Sequence, residues 1–275
     1  MKPARLNACT MTGSSEMGQI KSEIDASGVA VVTLCNPERR NAMTLGMWQA
    51  LAHTMRQLSQ DDSVRVVMLR GEGQAAFASG ADISEFEQVR SNEQNIAIYD
   101  ACVEQAETAV GACGKPVIAA IAGACYGGGV GIAASCDLRY IDETARFSVP
   151  AGKLGLGYPL SDIKRLHRLM GAAGATELLL TAKVYGGQAA VDAGLAHACV
   201  SDVFEYALSQ AQVIAGLAPL TLASVKMSLQ HLDDVPGAPS RTQVDGSVQA
   251  CFASQDYIEG RTAFAQKRAP QFKGK

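Results

Sequence analysis

The sequence predicts an α/β (α+β) chain in which a parallel or mixed sheet is covered by helices and followed by a helical tail. Short β-branched runs at Val29–Leu34, Val64–Leu69 and Val117–Ile121 alternate with helical patterns at Thr44–Ser59 and Asn92–Val110, the rhythm of strands crossing over through helices. After about residue 160 the strand signals nearly vanish. The chain is also rich in small residues: 44 alanines and 27 glycines in 275 positions, against 7 Phe, 7 Tyr and 1 Trp. Such a composition closes a core through close backbone packing rather than through large side chains.

Residues 1–19 lack the apolar stretch of a secretory signal and read as a polar, flexible leader. Gln19–Asp25 then pairs with Val29–Leu34 across the Ala26-Ser27-Gly28 turn. Beyond the three strand runs, helices are predicted at Ser161–Met170, Ala173–Thr181, Gln188–Ala193, Val203–Leu217, Leu220–Leu232, Arg241–Ser254 and Tyr257–Lys267. Asp233–Ser240, with two prolines and a glycine, is the best linker. The organisation expected is a leader over 1–19, a core over 20–200 and a helical region over 201–275. Pro116–Cys136 is uncharged for 21 residues, long enough to span a bilayer, but its five glycines split it into a strand, a turn and a helix start.

A net charge of −3 gives no overall field that would draw nucleic acid or an anionic membrane. The eight cysteines include no Cys-x-x-Cys pair and read as reduced thiols of a cytoplasmic protein. No His/Cys/Asp/Glu cluster has metal-ligand spacing and no Gly-x-Ser-x-Gly elbow is present, so neither a metal site nor a hydrolase triad is expected. His53 and His167 fall in ordinary amphipathic patterns.

Two segments carry chemistry. In Lys115–Asp137 a strand runs through Gly127-Gly128-Gly129 into a helix, which presents unblocked N–H groups and the positive end of the helix dipole to an oxyanion or phosphate. In Gly71–Asp82 a second strand ends in a small-residue turn where Gly80 permits unusual dihedrals and frees the Ala81 N–H. Two such turns can supply two donors to one oxygen.

These residues carry a resemblance. Phe77-Ala-Ser-Gly-Ala-Asp82, the Gly127–Gly129 turn with Cys136-Asp137, Asn36-Pro-Glu-Arg-Arg-Asn-Ala-Met43 and the closing segment Glu259–Phe272 together resemble the crotonase superfamily, the enoyl-CoA hydratase/isomerase family, from about residue 20 to 273. The resemblance implies a ββα spiral core with a C-terminal helical trimerisation region, as a homotrimer or a dimer of trimers. It implies an acyl-CoA thioester substrate, with coenzyme A as part of the substrate and no prosthetic group. The thioester oxygen would lie between the N–H groups of Ala81 and Gly128. Arg39, Arg40 and Ala42, with Ala78, Gly80 and Asp82, would lie near coenzyme A, which Phe264 and Lys267 would reach from the closing helix, in some members across a subunit interface.

The sequence departs from that pattern where the resemblance places two proton-transferring glutamates, since the positions hold Gly131 and Ala151. The aspartate of dehalogenase and dienoyl-isomerase relatives is replaced by Pro159. Tyr158 and Asp162 are the remaining acid/base candidates; Ser161 or Asp162 also suits a helix N-cap, as does Asp82 ahead of a helix beginning at Ile83 and Phe86. The reaction classes that follow are hydration or isomerisation through a stabilised enolate, decarboxylation, thioester hydrolysis, or a vestigial CoA-binding oligomer. A dinucleotide enzyme competes, because Gly129-Val-Gly-Ile-Ala-Ala134 fits a loose Gly-x-Gly-x-x-Ala fingerprint.

Overall fold

A computed structural model describes residues 18–85, 91–233 and 238–275. The strands are β1 (Gln19–Ile24), β2 (Val29–Cys35), β3 (Val66–Gly71), β4 (Ala76–Ala78), β5 (Val117–Ile121), β6 (Ala124–Tyr126), β7 (Leu138–Ile141), β8 (Arg146–Ser148), β9 (Tyr185–Gly186) and β10 (Ala198–Cys199). The helices are α1 (Leu45–Gln60), α2 (Glu93–Gly111), α3 (Gly128–Ser135), α4 (Ala151–Leu154), α5 (Leu160–Thr181), α6 (Gly187–Asp192), α7 (Val203–Ala215), α8 (Pro219–Leu232), α9 (Arg241–Ala253) and α10 (Gln255–Gln266).

One sheet has the order β1-β2-β3-β5-β7-β10, antiparallel only at the β1–β2 hairpin. A second, smaller sheet has the order β4-β6-β8-β9. Three parallel strands are each followed within a few residues by a short strand of the second sheet: β3 by β4, β5 by β6, β7 by β8. The chain thus climbs as a spiral of ββα units, the architecture implied by the resemblance. Every position of β5 is buried, as expected of a central strand covered on both faces. One face packs on Trp48, Leu51 and Met55 of α1 and on Val110 of α2; the other packs on Val203, Ala207 and Ala211 of α7.

The hairpin and the three long strands lie where the sequence placed them, and α5 breaks at Gly171 (φ +67), between the two helices expected there. The short strands were not foreseen, because three residues such as Ala76–Ala78 are too few to display a period. Residues 116–136 divide into β5, β6 and α3, and among the described residues no single helix is long and apolar enough to cross a membrane. Of the linker expected at Asp233–Ser240, residues 234–237 lie outside the described residues, as does Phe86. His53 and His167 are exposed, and the seven described cysteines are free.

The tail is pinned to the sheet by a buried cation. Lys226 on α8 is 6% exposed, and its Nζ donates to Asp137 Oδ2 at 2.7 Å and to the Lys115 carbonyl at 3.0 Å. Asp137 Oδ2 also accepts the Val117 N–H, so one carboxylate ties the start of β5 to α8. Lys226→Met would leave that carboxylate and carbonyl short of a donor. Stability is expected to fall by about 1–3 kcal/mol, read as a lower urea midpoint at unchanged denaturant slope.

Candidate active site

The two small-residue turns meet. At the first, Met43 N–H donates to the Gly80 carbonyl at 2.8 Å and Asp82 N–H donates to the Met43 carbonyl at 2.9 Å, forming a parallel bridge around Ala81. Alternation along an extended segment turns the Ala81 N–H to the side away from Met43. At the second, Gly127 (φ +51) donates to the Ser148 carbonyl at 2.9 Å and hands the chain to α3, of which Gly128 is the first residue. Gly80 has φ +101, and a Cβ there would sit 3.2 Å from the Tyr126 carbonyl oxygen and 3.9 Å from the Gly128 nitrogen. Neither the Ala81 N–H nor the Gly128 N–H donates to any described residue. Two free donors therefore lie on adjoining turns, one of them at a helix N-terminus.

The Asn36–Thr44 loop lies against this pair. Asn41, in the left-handed region at φ +55, donates from Nδ2 to the carbonyls of Glu72 (3.0 Å) and Ala76 (2.7 Å) and accepts the Asn36 N–H. Ser79 donates from N to the Arg40 carbonyl and from Oγ to the Arg39 carbonyl, each at 3.1 Å. Arg39, Arg40, Ala42, Ala78, Gly80 and Asp82 are thus neighbours, with Ala42 and Ala78 buried and the Arg39 side chain half exposed. Asp82 Oδ1 accepts from Ser84 N (2.9 Å), Ser84 Oγ (2.7 Å) and Arg39 Nη1 (3.4 Å), starting the 3-10 turn Ile83–Glu85.

Phe264 and Lys267 are not brought to the turns. Phe264 is 87% exposed, and Lys267 ends α10 in the left-handed region at φ +54. The segment after α10 is anchored on the other side of the sheet: Arg65, just ahead of β3, donates to the Phe272 carbonyl at 3.2 Å. The Ala81 and Gly128 turns follow the opposite, C-terminal ends of β3 and β5.

Pro159, not Ser161 or Asp162, occupies the N-cap of α5. Asp162 instead lies buried in the first turn and joins a charged cluster that sequence reasoning did not include. Arg165 Nη1 donates to Asp162 Oδ1 at 2.6 Å and to Glu107 Oε2, on α2, at 2.7 Å. Glu107 is 1% exposed and Asp162 4%. Burial pushes the Glu107 carboxyl well above the usual range, and the adjacent Asp162 charge pushes it further, with Arg165 opposing. Tyr158 is raised for the same reasons, burial first and then the Asp162 and Glu107 charges. The Glu107 Oε1 and Tyr158 hydroxyl oxygens are buried without a hydrogen-bond partner among the described residues. The one sequence signal for Glu107 is that it falls on the buried stripe of its helix, beside Ala106 and Val110, where an acid is out of place.

The dinucleotide fingerprint finds no turn to work with, because Gly129 and Gly131 are buried inside α3. Among the described residues no group of three His, Cys, Asp or Glu side chains could hold a metal ion.

The fold is thus a ββα spiral in which two N–H groups without an acceptor among the described residues lie on adjoining turns. The enoyl-CoA hydratase/isomerase family model matches residues 25–275. A probable enoyl-CoA hydratase of Bacillus subtilis is 34% identical over 90% of this chain and 95% of its own. A peroxisomal Delta(3,5)-Delta(2,4)-dienoyl-CoA isomerase of Arabidopsis thaliana is 32% identical over 96% of this chain and 99% of its own. An enoyl-CoA hydratase/carnithine racemase structure from Magnetospirillum magneticum superposes with a TM-score of 0.87 at 36% identity, covering 95% of this chain and 97% of that one. The chain belongs to the enoyl-CoA hydratase/isomerase family.

Two predictions follow from this geometry. A Cβ on Gly129 would run into the Ala78 carbonyl oxygen, with the Ala78 Cβ at 3.0 Å, whereas one on the exposed Gly152 would meet nothing within 4 Å. Gly129→Ala is expected to lower stability by about 1–3 kcal/mol and Gly152→Ala to leave it unchanged or raised, by chemical denaturation. The second concerns pH. Below the ordinary glutamate value of 4.5 both folded and unfolded chains carry the Glu107 proton; above it the unfolded chain releases a proton that the folded chain keeps. Stability is therefore lost as pH rises towards the folded value, by about 1.4 kcal/mol per unit of separation. Glu107→Gln, which mimics the protonated acid, should flatten this fall in denaturation midpoints measured from pH 4.5 to 8.

Proposed function

We propose that this chain binds an acyl-CoA thioester with its carbonyl oxygen between the N–H groups of Ala81 and Gly128 and works through the enolate that they stabilise. The observation that carries the reading is the pair of unused backbone donors on touching turns, one at the head of α3. Donors already fixed by the fold gain strength as charge builds on the oxygen and need no reorganisation, which is why one such N–H is worth about 10²–10³ in rate. Arg39 and Arg40, beside the Gly80 turn, supply cationic partners for the phosphates of coenzyme A. The exposed Phe264 and Lys267 serve a neighbouring copy in a homotrimer or dimer of trimers, since their own chain holds them away from its turns. Simple hydration through paired acids at 131 and 151 is disfavoured, because those positions are glycine and alanine.

The carbonyl itself is the test. Butyryl-CoA labelled with ¹³C at the thioester carbonyl should show its C=O stretch at lower wavenumber when bound to the wild-type protein than in water. Gly80→Ala, strained at φ +101 and with its Cβ 3.2 Å from the Tyr126 carbonyl oxygen, should abolish most of that shift and lower turnover of any active thioester by about 10² or more. A bound thioester with an unshifted carbonyl would refute the reading.

A further inference from the structure

The acid pair between α2 and α5 has no complete structural explanation. A single guanidinium nitrogen serves both Glu107 Oε2 and Asp162 Oδ1, so the cluster is neutral only when the two carboxyls share one proton. A cluster that merely clamped two helices would use both oxygens of each acid. Here Glu107 Oε1 and the Tyr158 hydroxyl are buried with no partner among the described residues, a costly state for any polar atom.

Where Oε1 points gives it a use. A Cβ on Gly131 would collide with Glu107 Oε1 and stand 2.9 Å from the carboxyl carbon. The carboxyl thus fills room that exists only because position 131 has no side chain. Gly131 follows Gly128 by three residues, about 4.5 Å along the helix axis, so the acid lies one turn behind the free N–H. The groups that face Glu107 are Asp162 and Arg165 from α5 and Tyr158 from the turn ahead of it.

We propose that Glu107 is the catalytic acid of this site, exchanging a proton with the α-carbon of an acyl-CoA thioester, and that Asp162 and Arg165 are positioning residues that hold its carboxyl against Gly131. The proposal rests on the acyl-CoA reading above. Its substrate class is any acyl-CoA that carries a hydrogen on the α-carbon or gains one there. In the forward step the Glu107 O–H bond breaks and a Cα–H bond forms, while the enolate electron pair returns the oxygen to a carbonyl. Glu107 is left as a carboxylate beside Arg165. In reverse that carboxylate takes the α-proton, and the step balances without another reactant.

The experiment follows exchange of the α-protons of butyryl-CoA in D2O by NMR, alongside its dissociation constant and the carbonyl shift. The wild-type protein should bind, shift the carbonyl and exchange. Glu107→Gln keeps an oxygen that can accept from Arg165 Nη1; it should bind within about threefold and keep the carbonyl shift, yet exchange at least about 100-fold more slowly. Asp162→Asn removes the charge that disfavours the Glu107 carboxylate, so the rise of exchange with pH should move to lower pH, which a purely structural role would not produce. If butyryl-CoA does not bind or its carbonyl does not shift, the acyl-CoA reading falls and this one with it. If it binds with a shifted carbonyl but the wild type exchanges nothing, or Glu107→Gln exchanges within threefold of it, or the Asp162→Asn profile is unmoved, the role of Glu107 falls alone.

Discussion

The close approach of backbone to backbone between the two sheets is the constraint on which the rest of this structure depends. The short strands β4 and β6 pair side by side, and α3 rises directly over β4. A Cβ at Gly123 would strike the Ala75 carbonyl oxygen, and one at Gly129 the Ala78 carbonyl oxygen. With side chains at those positions the turns would separate, and Gly80 could no longer lie against the Gly128 nitrogen. The spiral and the donor pair are therefore one feature: the chain can stack its units this tightly only where small residues stand, and the tight stack is what leaves two N–H groups side by side.

The short helix α3 is held from its far end. Arg139, 4% exposed, donates from Nη1 to the Cys136 carbonyl at 2.6 Å and from Nε to the Leu195 carbonyl at 3.0 Å. Burial lowers its pKa to about 10, which leaves it a cation at neutral pH. A positive charge among the last carbonyls of a helix complements the dipole, while at the head of the same helix the Gly128 N–H has no acceptor among the described residues. The buried cation thus fixes the direction of the helix whose other end carries Gly128. Lys226, binding the Asp137 that follows α3, ties the tail to the same corner.

Much of this was legible in the chain because the signals were local. β5 is a run of five apolar residues, Gly171 breaks α5, and the Gly127–Gly129 turn announces a strand that becomes a helix. The second sheet was not legible, since its strands are two or three residues long and owe their existence to neighbours such as β6 beside β8. Glu107 was missed for a related reason. It lies 24 residues before the glycine whose missing side chain it replaces and 58 before the arginine that it meets, and no spacing rule reaches that far. Its single local mark was being an acid on a buried helix stripe. Asp162 was singled out as an acid/base or N-cap candidate, but its partner was not, so the ion pair with Arg165 was not foreseen.

The absence of a side chain has two opposite consequences in this site. At Gly80, Gly127 and Gly128 it leaves backbone donors uncovered, and these glycines are among the residues on which the family resemblance rests. At Gly131 it opens a space, and a carboxyl from a different helix fills it. The first consequence belongs to the backbone, so it persists in any relative that keeps the turns. The second depends on which neighbouring side chain enters the space, so it can change without disturbing the fold. The family resemblance draws on the first; the role proposed for Glu107 draws on the second, through α2 and its contact with α5. The Glu107 carboxyl, entering from α2, stands where a side chain at position 131 of α3 would begin, so the fold can bring an acid to that place from either helix.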